Sequence, residues 1–191
     1  MSGEMDKPVI LIGGTAGTGK SRLAHELCSH LAIDHRLGTG FIREIVKSQY
    51  PAAACPELHS FTFRSERPID NLIAQARRLL SAVTACIERA RNEGTSLVVE
   101  GNHLIPELYC EARVDLFIVL SAPAPEEHLR RLGGPSHLRR RTTRSDFENV
   151  RRIDEWLRAE AAQYGVPYRP YTNNLADFAA ALQSRLNGRT L

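Results

Sequence analysis

The chain has 191 residues, of which 42% are hydrophobic and 25% charged, a composition typical of one globular domain spanning residues 1–191. A net charge of +3 is too small to indicate a nucleic-acid partner, and no run of about 18 apolar residues predicts a membrane span or a membrane partner. The four cysteines are too far apart for a zinc or redox pair, which predicts reduced thiols and a cytoplasmic location.

Short apolar runs alternate along the chain with segments in which apolar residues recur every three or four positions. The first pattern is typical of buried parallel strands and the second of helices packed on a sheet. In chain order, the alternation predicts a strand at residues 8–13, a helix from about 19, a strand at 34–37, a helix at 41–49, a loop at 51–67, a helix from 68 to about 94, strands at 96–101 and 115–120, a helix at 125–132, a helix from about 145 to 165, a strand at 166–168 and a helix from 174 to about 186. A capping box of Ser145 and Glu148 is predicted to begin the helix that ends near residue 165. Such alternation predicts a parallel sheet covered by helices on both faces.

A glycine-rich segment lies between the first predicted strand and the first predicted helix. It matches the phosphate-binding loop pattern G-x-x-x-x-G-K-[ST] with the residues Gly14, Thr15, Ala16, Gly17, Thr18, Gly19, Lys20 and Ser21. In such a loop, backbone N–H groups and the positive end of the following helix surround a phosphate. Lys20 is expected to reach the β- and γ-phosphates of a nucleoside triphosphate, and the Ser21 hydroxyl is expected to bind Mg²⁺. An accidental match is disfavoured because both flanking elements are the ones that the motif requires.

Glu100 ends the third predicted strand and is followed by Gly101, Asn102 and His103. Ligands of open α/β sheets bind at the carboxyl ends of the strands, so Glu100 is expected beside the phosphate loop. Two functional roles are open for this catalytic candidate: a carboxylate in the Mg²⁺ shell, or the general base that takes a proton from an acceptor. The non-functional alternative is a carboxylate that is simply solvated at the end of the strand. Asn102 and His103 are candidates for contacting the acceptor, although an exposed loop histidine is an equal alternative.

The segment between Glu127 and Asp146 contains six arginines and no acidic residue. The Gly-Gly-Pro break at residues 133–135 predicts a hinged, arginine-rich lid over about residues 133–145, which would exclude water and neutralise phosphate charge. A solvated basic face is the alternative for most of these side chains, and one to three of them are expected to reach phosphate. Arg141 is the catalytic candidate among them.

Several motifs together resemble 2-phosphoglycerate kinase. They are the phosphate loop with Gly13 before it, Ile42-Arg43-Glu44, Leu58-His59-Ser60, Glu100-Gly101-Asn102-His103-Leu104-Ile105-Pro106, the segment from His128 through the arginines to Ile153, and Tyr164-Gly165-Val166-Pro167. The likeness extends over most of residues 8–173, and its specific parts are Ile-Arg-Glu and Glu-Gly-x-His-Leu-x-Pro. Two positions depart from the family pattern: Gly40 and Phe41 stand where a Thr-Asp pair precedes Ile-Arg-Glu, and Arg22 follows Ser21 where a threonine is usual.

The resemblance implies phosphorylation, by ATP with Mg²⁺, of a hydroxyl on a small anionic acceptor, with Arg43 and His103 on the acceptor side. The missing aspartate leaves a nucleoside or an antibiotic-pathway intermediate open as the acceptor, and a nucleotide-binding regulatory module without catalysis is the remaining alternative. The expected fold is a three-layer α/β P-loop NTPase domain with a five-stranded parallel sheet of the nucleoside- or shikimate-kinase type. ATP and a small molecule are the expected partners, and a homodimer is left open.

Overall fold

Five parallel strands form the centre of the structure, a computed structural model that describes residues 7–134, 143–171 and 178. The strands are β1 (Val9–Gly14), β2 (His35–Gly38), β3 (Leu97–Glu100), β4 (Leu116–Ser121) and β5 (Tyr168–Pro170). Their order in the sheet is β2-β3-β1-β4-β5, and each neighbouring pair is parallel. The predicted five-stranded parallel sheet is therefore confirmed. All six residues of β1 are buried, which explains why this central strand is a continuous apolar run in the sequence.

Helices connect the strands, as parallel pairing requires. They are α1 (Lys20–His30), α2 (Thr39–Lys47), α3 (Pro68–Glu93), α4 (Pro106–Tyr109), α5 (Pro125–Leu132) and α6 (Arg144–Gln163). No helix among the described ranges is long and apolar enough to cross a membrane.

The strands have a core on each side of the sheet. Val9 and Leu11 of β1 pack with residues of α3 and α6 in one core, whereas Ile10 and Ile12 pack with residues of α1 in the other. Successive side chains of a strand point to opposite faces, so a strand buried on both sides has to be apolar at every position. The result is the three-layer arrangement that the sequence predicted.

Four local predictions need correction. Thr143, not Ser145, caps α6: its hydroxyl accepts a hydrogen bond from the Asp146 amide at 3.1 Å, and the Asp146 carboxylate accepts one from the Thr143 amide at 2.9 Å. Both residues of this capping box lie two positions before the predicted ones. The segment predicted to be a loop contains two 3₁₀ turns, Pro56–His59 and Thr62–Arg64.

The short helix α4 was not predicted, because four residues are too few to show a helical repeat. The last strand, β5, begins at Tyr168, where the strand predicted at residues 166–168 ends. The last predicted helix lies outside the described residues except for Phe178, whose ring packs against Tyr171.

Candidate functional site

The phosphate loop connects the carboxyl end of β1 to the first residue of α1, Lys20. Gly14 has a φ of 130°, and a Cβ at this position would lie 2.5 Å from the Leu120 carbonyl oxygen of neighbouring β4. Any larger side chain would therefore clash with backbone, which is the structural reason for glycine here. Gly19 likewise has a left-handed φ of 97°, and it is the residue from which α1 starts.

Internal hydrogen bonds hold the loop in shape. The Thr18 hydroxyl and the Lys20 ammonium both donate to the Thr15 carbonyl oxygen, at 3.0 and 2.6 Å respectively. Gly14 and Thr18 shape the loop from beneath, while the other predicted loop residues line the cleft above it: Thr15, Ala16, Gly17, Gly19, Lys20 and Ser21. The loop thus surrounds open space with backbone and one ammonium group, the arrangement that binds phosphate.

His128 of α5 supports the phosphate loop from the side and was not predicted as a site residue. Its ring is fully buried, and Nε2 donates to the Ala16 carbonyl oxygen at 2.7 Å. A Cβ at Gly17 would lie 3.0 Å from the same ring, so the imidazole fits against the loop backbone. Burial lowers the pKa of His128, which keeps the ring neutral. The only signal in the sequence was the position of His128 in the segment that resembles the kinase family.

Glu100 lies next to the phosphate loop, as its place at the end of a strand predicted. β3 is the neighbour of β1, and the register pairs Glu100 with Ile12 on that side and with Gly38 of β2 on the other. The Ser21 hydroxyl donates to Glu100 Oε1 at 2.8 Å. A hydroxyl oxygen and a carboxylate oxygen, both suited to Mg²⁺, are therefore adjacent at the start of α1. No cluster of three or more His, Cys, Asp or Glu side chains that could bind a metal by itself occurs in the described part of the chain.

Arg43 projects from α2 into the same cleft. One terminal nitrogen donates to the Ser60 carbonyl oxygen at 3.1 Å and the other to the Glu44 carboxylate at 3.0 Å. Its side chain is 17% exposed, and its buried Nε has no hydrogen-bond partner among the described residues. Asn102 also lines the cleft, where its amide donates to the Thr62 hydroxyl at 3.2 Å. Two of the three predicted acceptor-side residues, Arg43 and Asn102, are thus brought to the wall of the cleft.

His103 is a buried member of a hydrogen-bond network and is only 2% exposed. Nδ1 lies 2.8 Å from the Thr39 hydroxyl and Nε2 lies 3.1 Å from Gln75 Oε1, which also accepts from the Thr62 hydroxyl at 2.6 Å. Because Gln75 Oε1 can only accept, the proton of the neutral ring is on Nε2, and Nδ1 accepts from Thr39. Burial, reinforced by the positive charges of Arg43 and Lys20, lowers the pKa of His103 to about 3. The ring borders the cleft, but both nitrogens already have protein partners, and a direct contact with an acceptor stays a prediction.

Arg130 and Arg131 of α5 reach the rim of the cleft together with Glu127. The Glu127 carboxylate accepts from Arg130 at 2.7 Å and from Arg131 at 2.8 Å, and these two bonds lower its pKa to about 2. Arg141 and most of the predicted lid lie outside the described residues, so that assignment stays a prediction.

These elements enclose one cleft of about 760 Å³ at the carboxyl edge of the sheet. The phosphate loop and Glu100 line it, and α2 with the 3₁₀ turn at Thr62–Arg64 contributes the wall that carries Arg43. A cleft of this volume accommodates a nucleotide and a second small molecule.

Comparison with known sequences agrees with this geometry. A family model described as an AAA domain matches residues 10–159. The curated 2-phosphoglycerate kinase of Thermococcus kodakarensis is 30% identical over 175 residues, which cover 83% of this chain and 59% of that relative. The chain therefore spans about three fifths of the length of this curated relative. The resemblance that the motifs indicated is confirmed.

Comparison with solved structures concerns the fold alone, because the sequence identities are low. Shikimate kinase from Acinetobacter baumannii, in complex with shikimate, superposes with a TM-score of 0.59 at 15% identity, covering 96% of this chain and 95% of that one. Deoxyadenosine kinase from M. mycoides superposes with a TM-score of 0.52 at 14% identity, covering 94% and 99% of the two chains. Both confirm the predicted nucleoside- or shikimate-kinase type of sheet.

Proposed function

The chain belongs to the family of AAA domains, and we propose that it transfers the γ-phosphoryl group of ATP, with Mg²⁺, to a hydroxyl of a small anionic metabolite resembling 2-phosphoglycerate. The observation that carries the proposal is the convergence in one cleft of a phosphate loop, the Ser21–Glu100 pair and the Arg43 guanidinium. In this reaction the acceptor oxygen bonds to the γ-phosphorus, the bond from that phosphorus to the bridging oxygen breaks, and ADP leaves with the electron pair. The acceptor's hydroxyl proton passes to a carboxylate or to solvent.

The nucleotide side of the proposal rests on the loop between β1 and α1. Its backbone amides and the positive end of α1 would hold the β-phosphate. The Lys20 ammonium now donates to a neutral carbonyl oxygen of the same loop, and it would gain a stronger, charge-assisted bond from a phosphate oxygen. This exchange keeps the cation in the cleft in both states, so little rearrangement is needed on binding.

The metal side rests on the 2.8 Å contact between the Ser21 hydroxyl and Glu100. Mg²⁺ prefers a few protein oxygens together with waters and substrate phosphates, and the pair supplies that kind of donor. Ser21 and Glu100 would hold the ion, and the ion would supply positive charge to neutralise the charge that develops on the transferred phosphoryl group. The contact supports the Mg²⁺-shell role of Glu100 over the general-base role, because the carboxylate is adjacent to the hydroxyl that would bind the ion.

The acceptor side rests on Arg43 and Asn102. A planar guanidinium suits a carboxylate or phosphate because it forms two parallel hydrogen bonds. The name of the Thermococcus kodakarensis relative supports 2-phosphoglycerate as the first acceptor to assay. His103 would orient the first turn of α2 through Thr39, and Arg130 and Arg131 would approach the phosphates once released by Glu127. The cytoplasmic location expected from the separated cysteines stays a prediction.

An ADP-release assay with and without 2-phosphoglycerate and other hydroxy acids tests the proposal. Acceptor-dependent ADP release that disappears in Lys20→Ala is the expected result, with a loss of at least about a hundredfold, the scale of removing one preorganised donor. Lys7→Ala is the matched control, since Lys7 pairs with Asp34 and does not line the cleft. Nucleotide binding without turnover on any acceptor would instead indicate a regulatory module. Turnover only with nucleosides would show that the acceptor is a nucleoside and not a small anionic metabolite.

A further inference from the structure

An aromatic wall, formed by Phe41, Phe61 and Phe63, lines part of the same cleft. Phe41 is 81% exposed and Phe61 is 43% exposed, whereas Phe63 is buried and stacks on Phe61 with ring centroids 6.0 Å apart. A single exposed apolar side chain is ordinary, but exposed rings inside a concave polar site are typical of a ligand-binding surface. The aromatic wall is therefore a candidate for ligand contact.

Phe41 lies beside Glu100 in the cleft. A Cβ at Gly38 would be 3.6 Å from Glu100 Oε1 and 3.7 Å from Cδ2 of Phe41, so the carboxylate and the ring border the same small volume. Glu100 in turn contacts Ser21 of the phosphate loop. A molecule placed to receive a phosphoryl group here would touch the ring of Phe41.

The space beside Phe41 is open on the side of Gly40, although the Glu100 carboxylate borders it on another side. Among the described residues, no atom outside α2 lies within 4 Å of where a Cβ at Gly40, immediately before Phe41, would be. Arg43, two residues later, donates to the carbonyl oxygen of Ser60, the residue before Phe61. This bond ties α2 to the segment that carries the second ring, so that one cation and the aromatic wall share the acceptor side.

We propose that the acceptor carries a planar or cyclic apolar portion next to its anionic group, and that Phe41 selects for it; this inference rests on the proposed phosphoryl transfer. The anionic group would bind the Arg43 guanidinium, and the apolar portion would cover the ring of Phe41. The acceptor would then resemble 2-phosphoglycerate in its hydroxyl and its anionic group, and would carry in addition an apolar portion that 2-phosphoglycerate lacks. An acceptor with a ring gains the burial of both apolar faces.

The test compares two paired acceptors in the ADP-release assay, 3-phenyllactate against lactate and mandelate against glycolate. The expected result is that a ring-bearing acid exceeds its ring-free partner by about tenfold or more in kcat/KM, the scale of a few apolar contacts in a pocket. Phe41→Ala is expected to abolish that advantage. Ile45→Ala is the matched control, because Ile45 is 63% exposed one turn further along α2 and does not line the cleft.

Two outcomes overturn the inference while leaving phosphoryl transfer intact: the ring-free acids are the better acceptors, or the advantage of the ring survives in Phe41→Ala. Equal losses in Phe41→Ala and Ile45→Ala, accompanied by a change of oligomeric state in gel filtration, also overturn it, because the exposed face of α2 would then be an interface. Absence of turnover with every acid in the wild-type protein refutes the proposed function itself, which distinguishes the two failures.

Discussion

Replacing His103 by glutamine is expected to remove a pH dependence of stability that the wild-type chain has. The folded-state pKa of His103 is about 3, because the ring is buried and faces the charges of Arg43 and Lys20, whereas a histidine in the unfolded chain titrates near 6.5. As the pH falls below about 6.5, the unfolded chain binds a proton at this histidine that the folded chain does not. The contribution of His103 to the free energy of unfolding is therefore complete above about pH 6.5 and is lost as the pH falls towards 3. Two pH units at about 1.4 kcal/mol each give a loss of about 3 kcal/mol by pH 4.5.

Urea unfolding at pH 7.5 and pH 4.5, followed by the fluorescence of the single tryptophan, Trp156 on α6, measures this difference. The free-energy gap between the wild-type protein and His103→Gln is expected to shrink by about 3 kcal/mol at the lower pH, because glutamine keeps hydrogen-bonding groups but does not titrate. The carboxylates that titrate in this range are common to both proteins and cancel. His25→Gln, at an exposed position of α1, is the control for a histidine-to-glutamine change outside the buried network. An unchanged gap for His103→Gln would refute the reasoning, and a widened gap would mean that the folded state holds the ring protonated.

Three further results are expected at the site. Glu100→Gln should shift the Mg²⁺ dependence of turnover to higher concentrations with partial rescue by excess metal; a drop of about 10²- to 10⁴-fold at unchanged metal dependence would identify Glu100 as the base. Arg43→Ala should raise the KM for the acceptor far more than the KM for ATP in initial-rate kinetics, with only partial rescue by Arg43→Lys, and the reverse pattern would place Arg43 on the nucleotide side. His128→Phe should weaken ATP binding in calorimetric titration by about 1–3 kcal/mol, because the Ala16 carbonyl loses its donor; unaltered affinity would show that the loop holds its shape without it.

The elements whose signal is local were predictable from the sequence. Each core strand is buried on both faces and so appears as an apolar run, and the stripe of α3 follows from one face packing on the sheet. The phosphate loop was recognisable because its glycines, lysine and serine are close together in the chain and form a continuous motif. The ends of elements were harder to predict. The predicted capping box of α6 lies two residues too late, because the patterns Thr-x-x-Asp and Ser-x-x-Glu overlap in this segment.

The site depended on contacts between residues far apart in the chain. The rule for strand ends predicted that Glu100 lies near the phosphate loop. Its hydrogen bond with Ser21, however, requires β3 to be the direct neighbour of β1, and the order of strands in the sheet cannot be read from the sequence. His128 lies 112 residues from the carbonyl oxygen that it binds, and no periodicity records such a pairing.

The environment of His103 shows the same limit. From the sequence, an exposed loop position was an equal alternative for His103. In the structure, Gln75 of α3 and Thr39 of α2 enclose the ring. Sequence periodicity reports which residues share a face of one element, and it thereby determined the layers and the loop. Which faces meet is determined by packing among elements, and only the tertiary structure decided the charge state of His103 and the partners of Glu100.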